Sequence, residues 1–412
     1  MKIFKIFLFI ILPLTLSADI NYNISIEYRS DSIDVLHIKP QMQFDTLGFK
    51  IDFQPNIKFI DTTLPPKKLF KDIIGMNMQT AYFSYKNNLI DIGIGKSEIK
   101  WGEGISPLLL SGYLPLNNIS YGFKYKSINI SSVYLLLDRM NTTANDVIGD
   151  TSTIRYNYNR LISAHRITLN FNNTKISLSE AALIYYKEGE NFPIQYFNPL
   201  NVYYVYQWNQ SDDNIYTPTN VLWDLTVSHN IKDHNFYLEL LIDDFQYDNP
   251  PGDMNEPNHL AFTFGHKFGV LNTNIHWEYS IASRWIYGLY APAGRYLAHD
   301  FPIGTEEGND FDRIYFEINR KFPNFSVTLI NYLKRKGEGA IDTKWPSGGG
   351  FHEQNFPANN FLSGNIKYYY IPQLEVEYST KKMNFKIMLG DIYQINKNHN
   401  LVVGFNYILN LR

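Results

Sequence analysis

Ile167-Thr168-Leu169-Asn170-Phe171-Asn172-Asn173-Thr174-Lys175-Ile176-Ser177-Leu178 reads as two short strands around a two-residue turn. Ile167, Leu169 and Phe171 are apolar while Thr168 and Asn170 are polar, the period of two that sends successive side chains to opposite faces of a sheet. Asn172 and Asn173 supply the turn, because asparagine tolerates the positive φ of tight hairpins. Ile176 and Leu178 restore the alternation on the return. The pattern recurs along the chain. Leu225 and Val227 lead into a turn at 230–235, and Phe236, Leu238 and Leu240 follow. Phe325, Val327 and Leu329 alternate with Ser326 and Thr328. Phe385, Ile387 and Leu389 precede a turn at 396–400, and Val403, Phe405, Tyr407 and Leu409 follow it.

Alternation alone also suits a soluble sandwich. The N-terminus and the composition separate the two. Lys2 and Lys5 precede an apolar run over 6–16, broken by Pro13 and Thr15, and then small residues Ser17 and Ala18 before Asp19. Charge, apolar segment and small residues in that order predict a secretory signal peptide over 1–18, although Leu16 stands where a small residue is preferred. The run is too short for a membrane helix, which needs about 20 residues. A buried N-terminal helix is the alternative. The chain has 31 Tyr, 28 Phe and 6 Trp among 412 residues, yet it is slightly polar overall. A membrane barrel reconciles these facts, since it needs apolar residues only at alternate positions plus aromatic girdles at both interfaces.

The expectation is therefore all-β: one transmembrane antiparallel β-barrel domain over 19–412. Strands of about 10 residues with connections of about 12 give about 16–18 strands. Polar stretches at 140–157, 207–219, 248–258, 287–308 and 335–360 are expected as outer loops, opposite the tight turns. Pro65-Pro66 before an apolar-basic run ending at Gly75 predicts a short helix, either a plug in the lumen or an element of the rim.

The absence of cysteine excludes disulfides and thiolate metal sites, and a net charge of −3 gives no field to attract nucleic acid. No zinc-protease, P-loop, dinucleotide or nucleophile-elbow motif occurs, so no enzymatic activity, cofactor or metal is expected. Glu306, Glu307, Asp310 and Asp312 cluster without EF-hand spacing; a calcium loop and a solvated acidic loop are both open, with the latter favoured. Arg155, Arg160, Arg166, Arg139, Lys126 and Asp243 are expected in a polar lumen. Asp243 and Asp244 are adjacent on a strand, so they face opposite ways unless a bulge intervenes.

The least ordinary segment is Trp101-Gly102-Glu103-Gly104 after Gly95-Lys96. Its glycines permit unusual or closely approaching backbone, and Trp101 offers a flat face for a sugar. A strained corner at the barrel rim, with Glu103 turned inward to Lys100, Arg139 or Arg166, is the plainer account. Trp285, Tyr287, Tyr290 and Tyr296 are further candidates for stacking on a glycan, or members of an aromatic girdle.

Together with Leu108-Leu109-Leu110-Ser111 and Pro115, this run resembles the signature of the Wzi-like capsule assembly family. Ala164-His165-Arg166-Ile167, then Ser179-Glu180, Phe197-Asn198-Pro199-Leu200 and Leu241-Ile242-Asp243-Asp244-Phe245 continue the resemblance in order. Lys96 stands where the family has Arg, and the chain ends without a terminal aromatic. The resemblance implies a Gram-negative outer-membrane barrel with a periplasm-side helical plug, acting as a non-catalytic lectin for surface polysaccharide. The expected partners are that polysaccharide and outer-membrane lipid, with the protein a monomer. A passive outer-membrane channel is the competing function.

Overall fold

In the computed structural model the residues described are 19–30, 34–60, 74–143, 155–209, 218–245, 258–289, 291–343, 361–380, 383–394 and 399–409. The expected signal segment lies outside them. So do residues 61–73, most of the expected helix, whose last positions Ile74 and Gly75 stand in strand Ile74–Lys86.

Nineteen strand segments form one sheet, and its pairings are antiparallel. Ile128–Leu136 and Met140–Thr143 both pair with the long strand Arg155–Phe171, so they are one wall strand interrupted at 137–139, which leaves 18 strands around. The first strand, Asp19–Ser30, pairs with the last, His399–Leu409, from Ser25 opposite Ile408 to Ser30 opposite Val403. The sheet thus closes on itself, and closure removes the edge whose backbone groups lipid cannot satisfy. No helix among the described residues is long and apolar enough to cross a membrane.

The hairpin at 167–178 pairs as its alternation predicts, with Phe171 opposite Thr174 and Asn172 at a φ of 45°. The turn expected at 230–235 is tighter. Asn230 pairs with Asn235 and Ile231 with His234, leaving Lys232 and Asp233 as the loop. Turns of two or three residues at 47–48, 87–89, 126–127, 172–173, 232–233, 271–272 and 322–324 share one end of the barrel, and the long connections share the other. Short turns face the periplasm and long loops the outside in such barrels. Lys126, expected in the lumen, is at one of these turns, over the Tyr125 ring. Parts of the expected outer loops at 140–157, 207–219, 248–258 and 335–360 fall outside the described residues, and the ends of the first and last are strand.

Alternation sorts the wall into two faces. Ile90, Ile92, Ile94, Ile119, Phe123, Ile314, Leu329 and Leu333 are exposed on the outer face. Near the short-turn end, the rings of His234, Phe236, His266 and Phe268 stack at 4.1–5.5 Å, in the place of an interfacial girdle. Inward positions between these carry Arg166, Glu239, Glu278 and Arg313, all buried.

Gly95 lies in strand Ile90–Ser97 at a φ of 129°, opposite Tyr82 and Asn118. A Cβ there would sit 2.1 Å from the Ala81 carbonyl oxygen, a backbone atom of the neighbouring strand. Gly95→Val is therefore expected to block this pairing and to abolish the heat-modifiable band of the folded barrel on a gel. A wild-type heat shift would show that the ladder yields here.

Candidate functional site: the lumenal loops and the cavity beside them

The connection at 98–115 turns into the barrel instead of lying outside it. Lys100–Trp101 pairs with Leu110–Ser111, and the loop tip between them reaches across to the opposite wall. Two inward carboxylates receive it. Glu278 accepts the Ile105 N–H at 2.8 Å, and Glu239 accepts the Leu108 N–H at 2.7 Å. A bond to an ion-paired carboxylate such as Glu278, which Arg313 holds at 2.8 Å, contributes about 1.5–3 kcal/mol. The glycines make the approach feasible. A Cβ on Gly102, at a φ of 145°, would lie 2.6 Å from Pro107 Cβ and 2.8 Å from Glu239 Oε2, and one on Gly104 would lie 2.9 Å from Glu278 Oε2. Glu103 between them bonds to Lys175, and Lys267 Nζ donates to the Glu103 carbonyl at 3.0 Å. Lys175 follows the turn at 172–173, so the tip descends close to the periplasmic end.

The connection at 283–310, which contains the stretch 287–308 expected as an outer loop, is also inside. The Tyr287 hydroxyl donates to the Leu108 carbonyl at 2.7 Å, and the Ser111 N–H donates to the Ile303 carbonyl at 3.3 Å. Arg160 Nε donates to the Ala293 carbonyl, and its Nη2 to those of Arg295 and Leu297, at 2.7–2.9 Å. Arg313 bridges Glu278 at 2.8 Å and Glu307 at 3.2 Å, and Lys334 joins Glu307 at 3.0 Å. Leu108, Leu109, Leu110, Tyr287, Tyr296 and Phe311 pack with inward residues of the wall into a dry core. Among the described residues two loops fill the lumen; residues 61–73, where a helical plug was expected, lie outside them.

Beside the plug a cavity of about 660 Å³ remains. It extends from Asp45 and Gly48 at the short-turn end, past Lys50, Tyr82, Lys86 and Asp91, to Trp101 on the loop. Tyr82 bonds to Ser120 at 2.7 Å, and Lys86 to Asp91 at 3.0 Å. The Arg166 guanidinium lies 5.9 Å from the Trp101 ring centroid, with acidic Asp224, Glu239 and Glu103 around it. Such a cavity offers the rings of Trp101, Tyr82 and Tyr121 together with hydroxyl, cationic and anionic groups.

Several expected site residues are placed elsewhere. Tyr287 and Tyr296 are 0% exposed and stack on each other at 5.8 Å, and Trp285 is 3% exposed beneath Arg284. Their loop enters the lumen, so these rings fill the plug and present no free face to a sugar. Tyr290 lies outside the described residues. Arg139, expected in the lumen, interrupts a wall strand and pairs with Glu188 at 3.1 Å, 70% exposed. Asp243 does face inward, at a bulge between Ile242 and Asp244, and accepts the Tyr287 N–H at 2.6 Å. Lys96 is half-buried within its strand. Glu103 pairs with Lys175, while Arg166, one of the expected partners, lies within reach of its charge.

Of the acidic cluster, Glu306 is exposed to solvent as expected, whereas the other three are tied into the structure. Glu307 holds Arg313 and Lys334. Asp310 accepts N–H groups of Gly339 and Ser363 at 2.7 and 3.1 Å, tying the plug to the connection after strand Phe325–Lys336. Asp312 pairs with Arg335. No metal-sized group of acids and histidines occurs among the described residues.

Sequence reasoning missed Glu239, Glu278 and Arg313. The available signal was the charge bracketed by apolar neighbours, as in Leu238-Glu239-Leu240 and Trp277-Glu278-Tyr279. On a membrane strand that pattern assigns the acid to the lumen, where it needs a partner.

Gly102→Val is expected to expel the tip of the 98–115 loop while the barrel stays heat-modifiable, because Gly102 belongs to the plug and not to a corner of the wall. Limited proteolysis should cut the variant at this loop; wild-type resistance would mean that Gly102 does not set the docking. Acid is expected to loosen the second loop. Burial raises the Glu307 carboxyl, but Lys334 and Arg313 outweigh it, and its pKa falls below the ordinary 4.5. A depressed carboxylate stabilises above its unfolded value, and that stability is lost as pH falls through the lower folded value. Cleavage within 283–310 should therefore rise as pH falls below the ordinary carboxylate range in the wild type and be present already at pH 7 in Glu307→Gln. Equal, pH-independent resistance in both would remove Glu307 from the anchor.

No family model and no curated protein matches the sequence. Solved structures do match. Wzi, an outer membrane protein involved in group 1 capsule assembly in Escherichia coli and a carbohydrate-binding β-barrel, superposes with a TM-score of 0.62 at 11% identity, over 97% of this chain and 86% of that one. OccK3 of Pseudomonas aeruginosa gives 0.53 at 9% identity, over 96% and 95%. A BenF-like porin from Pseudomonas fluorescens gives 0.51 at 9%, over 96% and 98%. The chain has a Wzi-like fold, that of an 18-stranded barrel of the Gram-negative outer membrane.

Proposed function

We propose that this barrel binds surface polysaccharide and organises it at the cell surface, without catalysis. The observation that carries this reading is Trp101 at the head of the cavity, its ring flanked by Arg166 and followed by Tyr82, Ser120, Lys50 and Asp91. Sugars are held by a flat aromatic face against their C–H groups and by dense donors and acceptors around their hydroxyls. The plug supports the same reading, since two loops with a dry core occupy space that a wide pore would leave to water. The similarity to a carbohydrate-binding barrel supports it at the level of fold.

A channel is the second reading, favoured by the polar cavity that reaches the short-turn end and by the likeness to porins. The two differ in outcome. In a capsulated host, loss of the protein is expected to release polysaccharide into the medium. Trp101→Ala should restore surface assembly of the barrel but not retention, and should weaken binding of the purified host polysaccharide about tenfold. In planar bilayers the wild type is expected to be nearly silent. Discrete conductance steps with unchanged cell-bound polysaccharide would overturn the binding role in favour of the channel.

A further inference from the structure

The connection after strand Thr174–Lys187 does not behave as a cell-surface loop. We propose that its part from Phe192 to Tyr206 is a strap laid against the outside of the barrel wall and immersed in the acyl chains of the outer leaflet.

The alternation of the wall strands locates it. In Arg155–Phe171, Arg160, Ile162, Ala164 and Arg166 face the lumen, so Leu161, Ser163 and His165 face outward beside Ile167, which is 46% exposed. In the next strand Ala181 and Leu183 join the lumenal core, while Ala182 and Ile184 belong to a second, separate cluster with Leu161, Val221, Tyr196 and Tyr203. That second cluster is the outer wall with the strap on it.

The strap is fastened by polar groups that a bare lipid-facing wall would leave unsatisfied. Glu180 accepts the N–H groups of Tyr203 and Tyr204, both at 2.8 Å, and its carboxylate lies 3.3 Å from His165 Nε2. Ser163 donates to the Tyr196 carbonyl at 2.6 Å, and Tyr134 donates to the Phe197 carbonyl at 2.7 Å while their rings stack at 4.0 Å. Glu180 is six ladder positions above Thr174, the first residue after its periplasmic turn. A membrane strand crosses in about 9–11 residues, so these fastenings stand at the height of the hydrocarbon.

The other face of the strap is apolar apart from the amide of Asn198, which is engaged by Asn201 and the Leu200 N–H. Ile194 is 74% and Leu200 80% exposed, and Phe192, Val202, Tyr204 and Val205 are exposed with them. From Asn191 to Asn209 there is no charged residue. A water-facing loop has no need to exclude charge over such a length, whereas a lipid-facing one does. The exposed patch continues the apolar belt formed by Ile167 and Leu178 on the strands beneath, which fixes acyl chains as its occupant.

The chain has no cysteine, so single-cysteine variants can be labelled without background. Leu200→Cys and Val205→Cys carry nitroxide labels in the full-length protein reconstituted in phospholipid vesicles. Ile167→Cys on the wall is the lipid reference, and Leu271→Cys, fully exposed in a turn, is the water reference. The strap labels are expected to collide preferentially with oxygen over a water-soluble nickel chelate, with the ratio of Ile167. A ratio matching Leu271 would overturn the proposal by returning the segment to water. Low collision with both reagents would overturn it too, assigning the surface to protein, as in contact with a second copy.

Discussion

Backbone hydrogen bonding in lipid governs this structure. A strand in hydrocarbon has no water for its N–H and C=O groups, so every edge must find another edge. The meeting of Ser25–Ser30 with Val403–Ile408 satisfies that demand for residues more than 370 apart in sequence. Once the sheet is closed, each strand has one face toward lipid and one toward the lumen. Everything else follows from what occupies those two faces.

An 18-stranded ring encloses more space than its own inward side chains can fill. Here the remainder is occupied by two connections that fold back inside. They bring backbone amides into a region with little water, and the wall answers with Glu239 and Glu278. Those acids would be costly alone; Arg313 pairs with Glu278, and the loop N–H groups donate to both. The two glycines around Glu103 serve this contact, because a side chain at either position would hold the loop off the carboxylates. Plug and wall are thus specified together, and the cavity below Trp101 is what the plug leaves over.

The same strands perform unrelated tasks on their two sides. Arg166 points into the lumen toward Trp101, and its neighbour His165 points outward to Glu180 beneath the strap. Adjacent residues of the Ala164-His165-Arg166 run therefore act in different environments, one in a polar interior and one at the height of the membrane. A charged residue on the outer wall is tolerable because the strap's amides and the imidazole enclose it.

Strand placement was legible because alternation is local: Ile167 to Phe171, Asn172-Asn173 and the return through Leu178 fix a hairpin with no reference to the rest of the chain. Strand number was legible from length, since the membrane thickness sets the span. The unusual character of Gly102, Glu103 and Gly104 was also visible, but its cause was not, because Glu239 and Glu278 lie more than 130 positions away. The aromatic residues Trp285, Tyr287 and Tyr296 show the limit most clearly. Their types suit a sugar site, a girdle or a core equally well, and only the inward path of their connection buries them. Sequence by itself determined which residues alternate and so which secondary structure forms. Tertiary structure decided on which side of the wall each long connection lies, because that depends on partners contributed by distant strands.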